Sequence, residues 1–195
     1  MRRWIEVPVA VALGAVASPA LIAAALWVKA VSKGPVFFRQ ERVGKDGQRF
    51  LIWKLRTMDV EAGATDASMV TVKDDPRLIR GGQIIRKFKL DELPQLANVV
   101  VGTMALVGPR PTVFEDYQKM NARQRRRFSV RPGITGLAQV SGNTALPWPA
   151  RIELDLEYVD KQGELNDLAL IAKTTLLVVT GRSETHPESE DEWAG

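Results

Sequence analysis

The sequence predicts an α+β protein, mainly helical, with one small β-hairpin and a membrane-associated helix at its N-terminus. Three observations predict it. Val7 to Val28 runs for 22 residues without a charge. Gly34 to Met58 holds two runs rich in Val, Phe, Ile and Trp around the turn Lys45-Asp46-Gly47, the signature of a hairpin. Most of the remaining chain falls into helical stretches punctuated by Gly and Pro. The 195 residues suffice for one domain with its own core, and no internal repeat is visible.

The apolar run comes first. At about 1.5 Å per residue it is long enough to cross a hydrocarbon core of roughly 30 Å. Arg2 and Arg3 resemble the start of a signal peptide, but the run is long and "VKAVSKGPVFF" offers no clear cleavage context. Two details oppose a plain span. Ser18-Pro19 sits in the middle, where a proline removes a helical hydrogen bond and forces a kink. Arg2 and Arg3 precede the run while Lys29 and Lys33 follow it, so the positive-inside rule keeps both ends in the cytoplasm. A helix that enters, breaks and returns satisfies both details, each half being about 16–18 Å long. On the residues alone, spanning and re-entrant readings both stand.

In the second hairpin strand, Leu51, Trp53 and Leu55 share one face and Ile52, Lys54 and Arg56 the other. Lys54 and Arg56 are expected to project together, either into solvent or at an anion. Asp59 to Gly82 is polar and reads as a surface loop. A helical stretch through "QIIRKFK" leads to Asp91, which reads as the N-cap of a second helix with Pro94 in its first turn. Pro109 and Pro111 bracket Arg110, and a guanidinium on stiffened backbone loses less entropy when it grips a phosphate. Phe114 to Phe128 is expected to be a helix with a strongly basic end, Arg123 and Arg125 to Arg127, either interfacial or solvated. Val130 to Asn143 reads as loop. Leu165 to Val179 reads as an apolar helix, too short and, with Lys173, too charged for a span.

Composition narrows the chemistry. There is no cysteine, so disulfides and thiolate metal sites are excluded. The single histidine, His186, lies in the acidic tail, which leaves no material for a Ser-His-Asp triad or a His-rich zinc site. Catalysis must rest on carboxylates, hydroxyls, Lys and Arg. The net charge is +4, but Glu184 to Gly195 carry five acids and no Lys or Arg, so the body is more basic than the total. Such a body expects anionic company.

The adjacent acids Asp91 and Glu92, in "KLDELPQL", stand out against that charge. A helix N-terminus alone explains two acids there. Yet Arg77, Arg80, Arg86, Lys87 and Lys89 precede the pair and Arg110 follows, and cations keep a carboxylate ionised. An ionised carboxylate can attack phosphorus, and a neighbouring one can help hold Mg²⁺ against a diphosphate. Phosphoryl chemistry on a lipid carrier is the class these features suggest.

"SKGPVFFRQERVGKDGQRFLIWKLRTM", "DPRLIRGGQIIRKFKLDELPQLANVVVGTMALVGPRPT" and "VRPGITGLAQVSG" together resemble the bacterial sugar transferases of the monotopic phosphoglycosyl transferase family, in the family's order across residues 1 to 143. The resemblance implies transfer of a phospho-sugar from a UDP-sugar to a polyprenol phosphate, with release of UMP and a requirement for Mg²⁺. It implies that Asp91 is the nucleophile that forms a covalent phospho-sugar adduct in a ping-pong sequence. Glu92 would be a metal ligand or proton acceptor, so both acids are expected at the metal. Arg110, Arg86, Arg77, Lys54 and Arg56 match family positions expected to contact the substrate. The family's re-entrant helix, broken at a Ser-Pro, maps onto Ser18-Pro19. The implied organisation is a membrane helix-break-helix over 1–33, a catalytic domain over 34–183 and a disordered acidic tail over 184–195. The implied location is the bacterial inner membrane, among its lipids, with the active site on the cytoplasmic face and interfacial amphipathic helices around it. No nucleic-acid partner is expected. Sugar specificity is expected in loop residues between Asp59 and Asp75 or after Gly142.

Two departures bear on this. Gly102-Thr103-Met104-Ala105 replaces the family's usual "GDMS", which puts metal binding in question if that acid touches the metal. Trp4-Ile5-Glu6 replaces the usual acid after the basic pair, and Glu6 is one place off. The competing expectation is a catalytically silent membrane-surface module that binds anionic lipid or assembly partners.

Overall fold

The computed structural model describes residues 1–59 and 75–183. Most of the expected loop after Asp59, the acidic tail and His186 lie outside the described residues.

Helix α1 (Arg3–Val31) is, among the described residues, the one helix long and apolar enough to cross a membrane. Only 11% of its most apolar 18-residue window is buried, unlike the core helix of a soluble domain. Helical structure continues through Ser18-Pro19, where two separate half-helices were expected. The reason is local. Pro19 has no N–H for the Ala15 carbonyl, and the Ser18 hydroxyl donates to that carbonyl instead, at 2.8 Å. Both ends of α1 dock on the same body. Arg3 donates to the carbonyls of Val99 and Val100, each at 2.7 Å. Trp27 Nε1 donates to the Arg80 carbonyl at 2.8 Å. Ala10 packs into one core cluster and Ala24 and Val28 into another, while Leu13, Val16 and Ile22 between them are exposed.

Strands β1 (Phe37–Val43) and β2 (Arg49–Leu55) form the expected antiparallel hairpin, with Phe38 opposite Lys54 and Arg42 opposite Phe50. Asp46 closes the turn at φ 56° and Gly47 at φ 76°. Ile52 is buried and Leu51 exposed, so the face that carries Lys54 is the one that meets the core. Trp53, on the opposite face, is covered by the Arg39 guanidinium 4.0 Å from its ring centre.

Two short helices follow, α2 (Gly82–Lys87) and α3 (Gln95–Val101), joined by a single tight turn at Leu90–Glu92. Asp91 therefore is not a helix N-cap, contrary to the sequence reading. Lys89 adopts a left-handed backbone, φ 54°, which sets off the turn before Asp91, and Pro94 takes the capping position of α3. The Glu-Asp stabilisation by a helix dipole falls away with that, because the acids sit before the helix and not on its first turn.

Val130 to Asn143 is more ordered than a loop. Strand β4 (Gly133–Thr135) pairs in parallel with β3 (Ala105–Val107), and a short helix α5 (Leu137–Val140) follows. The approach needs glycine: a Cβ on Gly133 would lie 2.1 Å from the Gly108 nitrogen. The basic helix expected through Phe128 stops early, as α4 (Phe114–Lys119). Its cations turn onto α6 (Trp148–Asp160), a helix that the sequence reading did not name. Arg123 meets Glu153, Arg126 meets Asp160 and Arg127 meets Asp155. Three of the four arginines of that basic end are therefore paired with acids of α6, and Arg125 lies over the Tyr117 ring. Helix α7 (Glu164–Val179) forms as expected, with Leu165, Leu168, Leu176 and Val179 exposed.

Candidate active site

Asp91 and Glu92 lie on the tight turn between α2 and α3, and each is 5% exposed. Three cations from three parts of the chain converge on Glu92 Oε1. Arg110, from the loop after β3, donates to it at 2.7 Å. Lys54, from β2, lies at 3.4 Å and Lys89, from the turn itself, at 4.0 Å. Asp91 is different: its Oδ1 is buried and has no hydrogen-bond partner.

The two carboxyls are pushed apart electrostatically. Burial raises the pKa of Asp91, and the adjacent Glu92 charge adds to this against Lys54, Lys89 and Arg86. Burial acts upward on Glu92 too, but Arg110, Lys89 and Lys54 outweigh it and hold that carboxyl well below the usual range. The expectation that cations keep the acids ionised thus describes Glu92, while for Asp91 the shift runs the other way. Burial also lowers Lys54, to about 8. The charge of Glu92 raises Arg110.

The other expected residues divide. Arg86 is close enough to pull on both Asp91 and Asp75. Arg77 forms a two-pronged ion pair with Asp75, at 2.9 Å from Nε and 2.6 Å from Nη2. Arg56 does not accompany Lys54. Strand β2 ends at Leu55, so the alternation stops, and Arg56 is buried against the carbonyls of Pro35, Met58 and Ser32 at 2.6, 3.4 and 3.4 Å. It clips the exit of α1 to the hairpin. Thr103, in place of the family's acid, bonds Asn98, which in turn holds Leu51 and Trp53 of β2. Its recorded partners do not include either dyad acid. Glu6 accepts from the Leu106 amide at 2.9 Å and from Arg131 at 2.7 Å, tying α1 to β3.

The sequence reading missed two features of the site. Arg42 lies on the same hairpin face as Lys54, and burial together with Arg110 lowers its pKa to about 10. The hairpin register carries that signal. Arg127 donates to the backbone carbonyl of Arg110 at 2.9 Å while its Nε and Nη2 grip Asp155 at 2.9 and 2.5 Å, both side chains almost fully buried. The loop that presents Arg110 is therefore pinned from behind. Val43 also donates to the Thr112 carbonyl at 2.8 Å.

The orphaned oxygen of Asp91 suits a divalent cation. Among the described residues no group of three or more Asp, Glu, His or Cys could form an all-protein cage. A two-carboxylate site is nevertheless what Mg²⁺ tolerates, since it keeps waters and takes substrate phosphates as ligands.

Two buried acids ringed by Lys54, Lys89 and Arg110 thus lie in a protein that also carries a long, exposed apolar helix. The chain belongs to the bacterial sugar transferase family, whose model matches residues 1–181. Relatives include EpsL of Bacillus subtilis, named an uncharacterized sugar transferase, 40% identical over 163 residues that cover 83% of this chain and 79% of that protein. A UDP-glucose:undecaprenyl-phosphate glucose-1-phosphate transferase of Caulobacter vibrioides is 40% identical over 187 residues, 92% of this chain and 70% of the relative. The Escherichia coli protein of the same name is 39% identical over 165 residues, 80% of this chain but 35% of the relative.

Proposed function

We propose that this chain transfers a sugar-1-phosphate from a UDP-sugar to a polyprenol phosphate and releases UMP. The observation that carries the reading is the convergence of Lys54, Lys89 and Arg110 on an acid pair in which one oxygen of Asp91 is left unpartnered. The names of the relatives supply the donor and acceptor classes.

Asp91 attacks the sugar-bearing phosphorus of the donor. A carboxylate–phosphorus bond forms, the bond to the UMP oxygen breaks, and UMP leaves with that electron pair. An oxygen of the acceptor phosphate then attacks the same phosphorus, Asp91 leaves, and a polyprenol diphosphate sugar results. The raised pKa of Asp91 suits a nucleophile, because a more basic carboxylate is a stronger one once ionised. Arg110, Lys89 and Lys54 hold the Glu92 carboxyl well below the usual range, which favours a metal-ligand role over proton acceptance. Glu92 organises the cations, and with Asp91 it would hold Mg²⁺, which would supply charge neutralisation for the diphosphate. Arg110, with Lys54 and Arg42 beside it, offsets the remaining phosphate charge.

Helix α1 enters the bilayer and returns. A span would carry Arg3 and Trp27 to opposite sides, yet both dock on one body. The flanking cations support a cytoplasmic-face location, at the bacterial inner membrane, for that body and the active site. The silent-module reading rested on Thr103 and Ala105; Thr103 is engaged with Asn98 and leaves the dyad untouched.

The test is UMP release from a panel of UDP-sugars with Mg²⁺ and a polyprenol phosphate. Asp91→Asn is expected to keep its unfolding midpoint and lose turnover. Turnover retained in that variant would remove Asp91 from the nucleophile role.

A further inference from the structure

A groove of about 310 Å³ adjoins the dyad, with Lys89, Glu92 and Arg110 in its lining. Nearly all the rest is hydrocarbon. Leu13 and Ala17 of α1 form one wall, and Ile171, Leu177 and Val178 of α7 form the other. Both helices pack on β3, and the groove opens between them.

The threonine and serine hydroxyls in the lining are turned away from it, while Gln139 and Asn143 bring amides to one part of the wall, the Gln139 Oε1 buried without a hydrogen-bond partner. Thr174 donates to the Leu170 carbonyl at 2.8 Å, which leaves Thr135 to donate to Thr174 across 2.5 Å. Thr175 likewise donates to the Ile171 carbonyl at 2.9 Å. These i−4 bonds bury the hydroxyls in the helix's own backbone and present methyl groups. The groove thus has a cationic margin at the reacting acids and a hydrocarbon remainder, walled by the helix that carries the most exposed apolar surface.

We propose that this groove seats the head-proximal isoprene units of the prenyl phosphate acceptor, with its phosphate at Lys89 and Arg110 and its chain running between α1 and α7. This rests on the reading of the acceptor as a polyprenol phosphate. The volume lies at the low end for ligand pockets, roughly 300–1,000 Å³, so it takes a few isoprene units and leaves the rest of a long chain in the lipid. A sugar nucleotide has nothing to match the hydrocarbon walls. An amphiphile with an anionic head matches both parts.

The experiment uses the full chain in phosphatidylethanolamine–phosphatidylglycerol nanodiscs and a short prenyl phosphate with a photoreactive diazirine near its first isoprene unit. Mapped to single residues, label is expected on Leu13, Ala17, Ile171, Leu177 or Val178, and unlabelled prenyl phosphate should compete it away while phosphatidic acid does not. Ala17→Leu and Val178→Phe, on opposite walls, should each cut that label and raise KM for prenyl phosphate roughly tenfold, with the dependence of KM on chain length flattened. Label confined to the exposed Val16, Leu165 or Leu176, or competed equally by phosphatidic acid, overturns the groove assignment. The labelling needs no catalysis, so absence of UMP release from every UDP-sugar would sink the transferase reading alone.

Discussion

In the proposed transfer, Asp91 and Lys54 are expected to set opposite limbs of a pH profile. Asp91 would have to be ionised to attack, and its pKa is raised above the usual 3.8, first by burial. Activity therefore falls, as pH drops, at a higher pH than an ordinary carboxylate would give. Lys54 must be protonated to serve Glu92 and phosphate, and burial lowers it to about 8. Activity falls again as pH rises through about 8. The profile of kcat/KM against pH reports both groups in the free enzyme. Lys54→Arg is expected to move the basic limb upward and leave the acidic limb in place. An unmoved basic limb would take Lys54 out of the profile. Behind the site, Arg127→Met strands the buried Asp155 charge and frees the Arg110 carbonyl. Losing one partner of such a buried pair costs roughly 3–5 kcal/mol, which chemical denaturation measures. The milder Asp155→Asn keeps a hydrogen-bond acceptor for Arg127 and should raise KM for the UDP-sugar more than it lowers kcat.

At the scale of elements, what was legible in the sequence was what is encoded locally. The hairpin followed from period-two alternation and a Gly turn, and α7 from an apolar stretch interrupted by Lys173. The turn between α2 and α3 was not legible, since it hangs on a left-handed backbone at Lys89, a residue type that gives no hint of one. Strands β3 and β4 escaped because three-residue strands carry no periodicity and pair across a long separation, through contacts only glycine permits. Helix α6 was readable in principle: Pro149 at its start and Trp148, Ile152 and Leu156 at four-residue spacing are all in the sequence. Helix α1 carries this scale's prediction. The protein has no cysteine, so Arg2→Cys and Lys33→Cys can each be introduced alone and labelled with an impermeant thiol reagent. Both should react only from the cytoplasmic side. Pro19→Ala restores an N–H to the Ala15 carbonyl, so the helix straightens and one end should become reachable from the opposite side. Labelling of the two sites from opposite sides in the unmodified helix would establish a span.

For the whole molecule, the sequence singled out the acid pair, Arg110 and Lys54 by residue type, and the structure brings them together. The sequence could not separate them from Arg56 and Arg77, which share that residue type but are consumed by carbonyls and by Asp75. The same holds for the basic segment before Val130, three of whose arginines are paired with acids of α6. Membrane affinity of the whole chain should therefore come from the exposed apolar side chains of α1 and α7 and resist salt. Extraction that requires detergent, with no release in high salt, is the expected result; release by salt alone would point to charge as the adhesive.

Glu6 sits six residues from the start of the chain, yet it holds the amide of Leu106 and the guanidinium of Arg131, and β3 leads directly from Leu106 into Arg110. A truncation at Val31 made for the sake of solubility is expected to leave the half-buried Arg131 without its carboxylate, unpair the Leu106 amide and loosen the loop that presents Arg110, so the apolar helix also braces the candidate site.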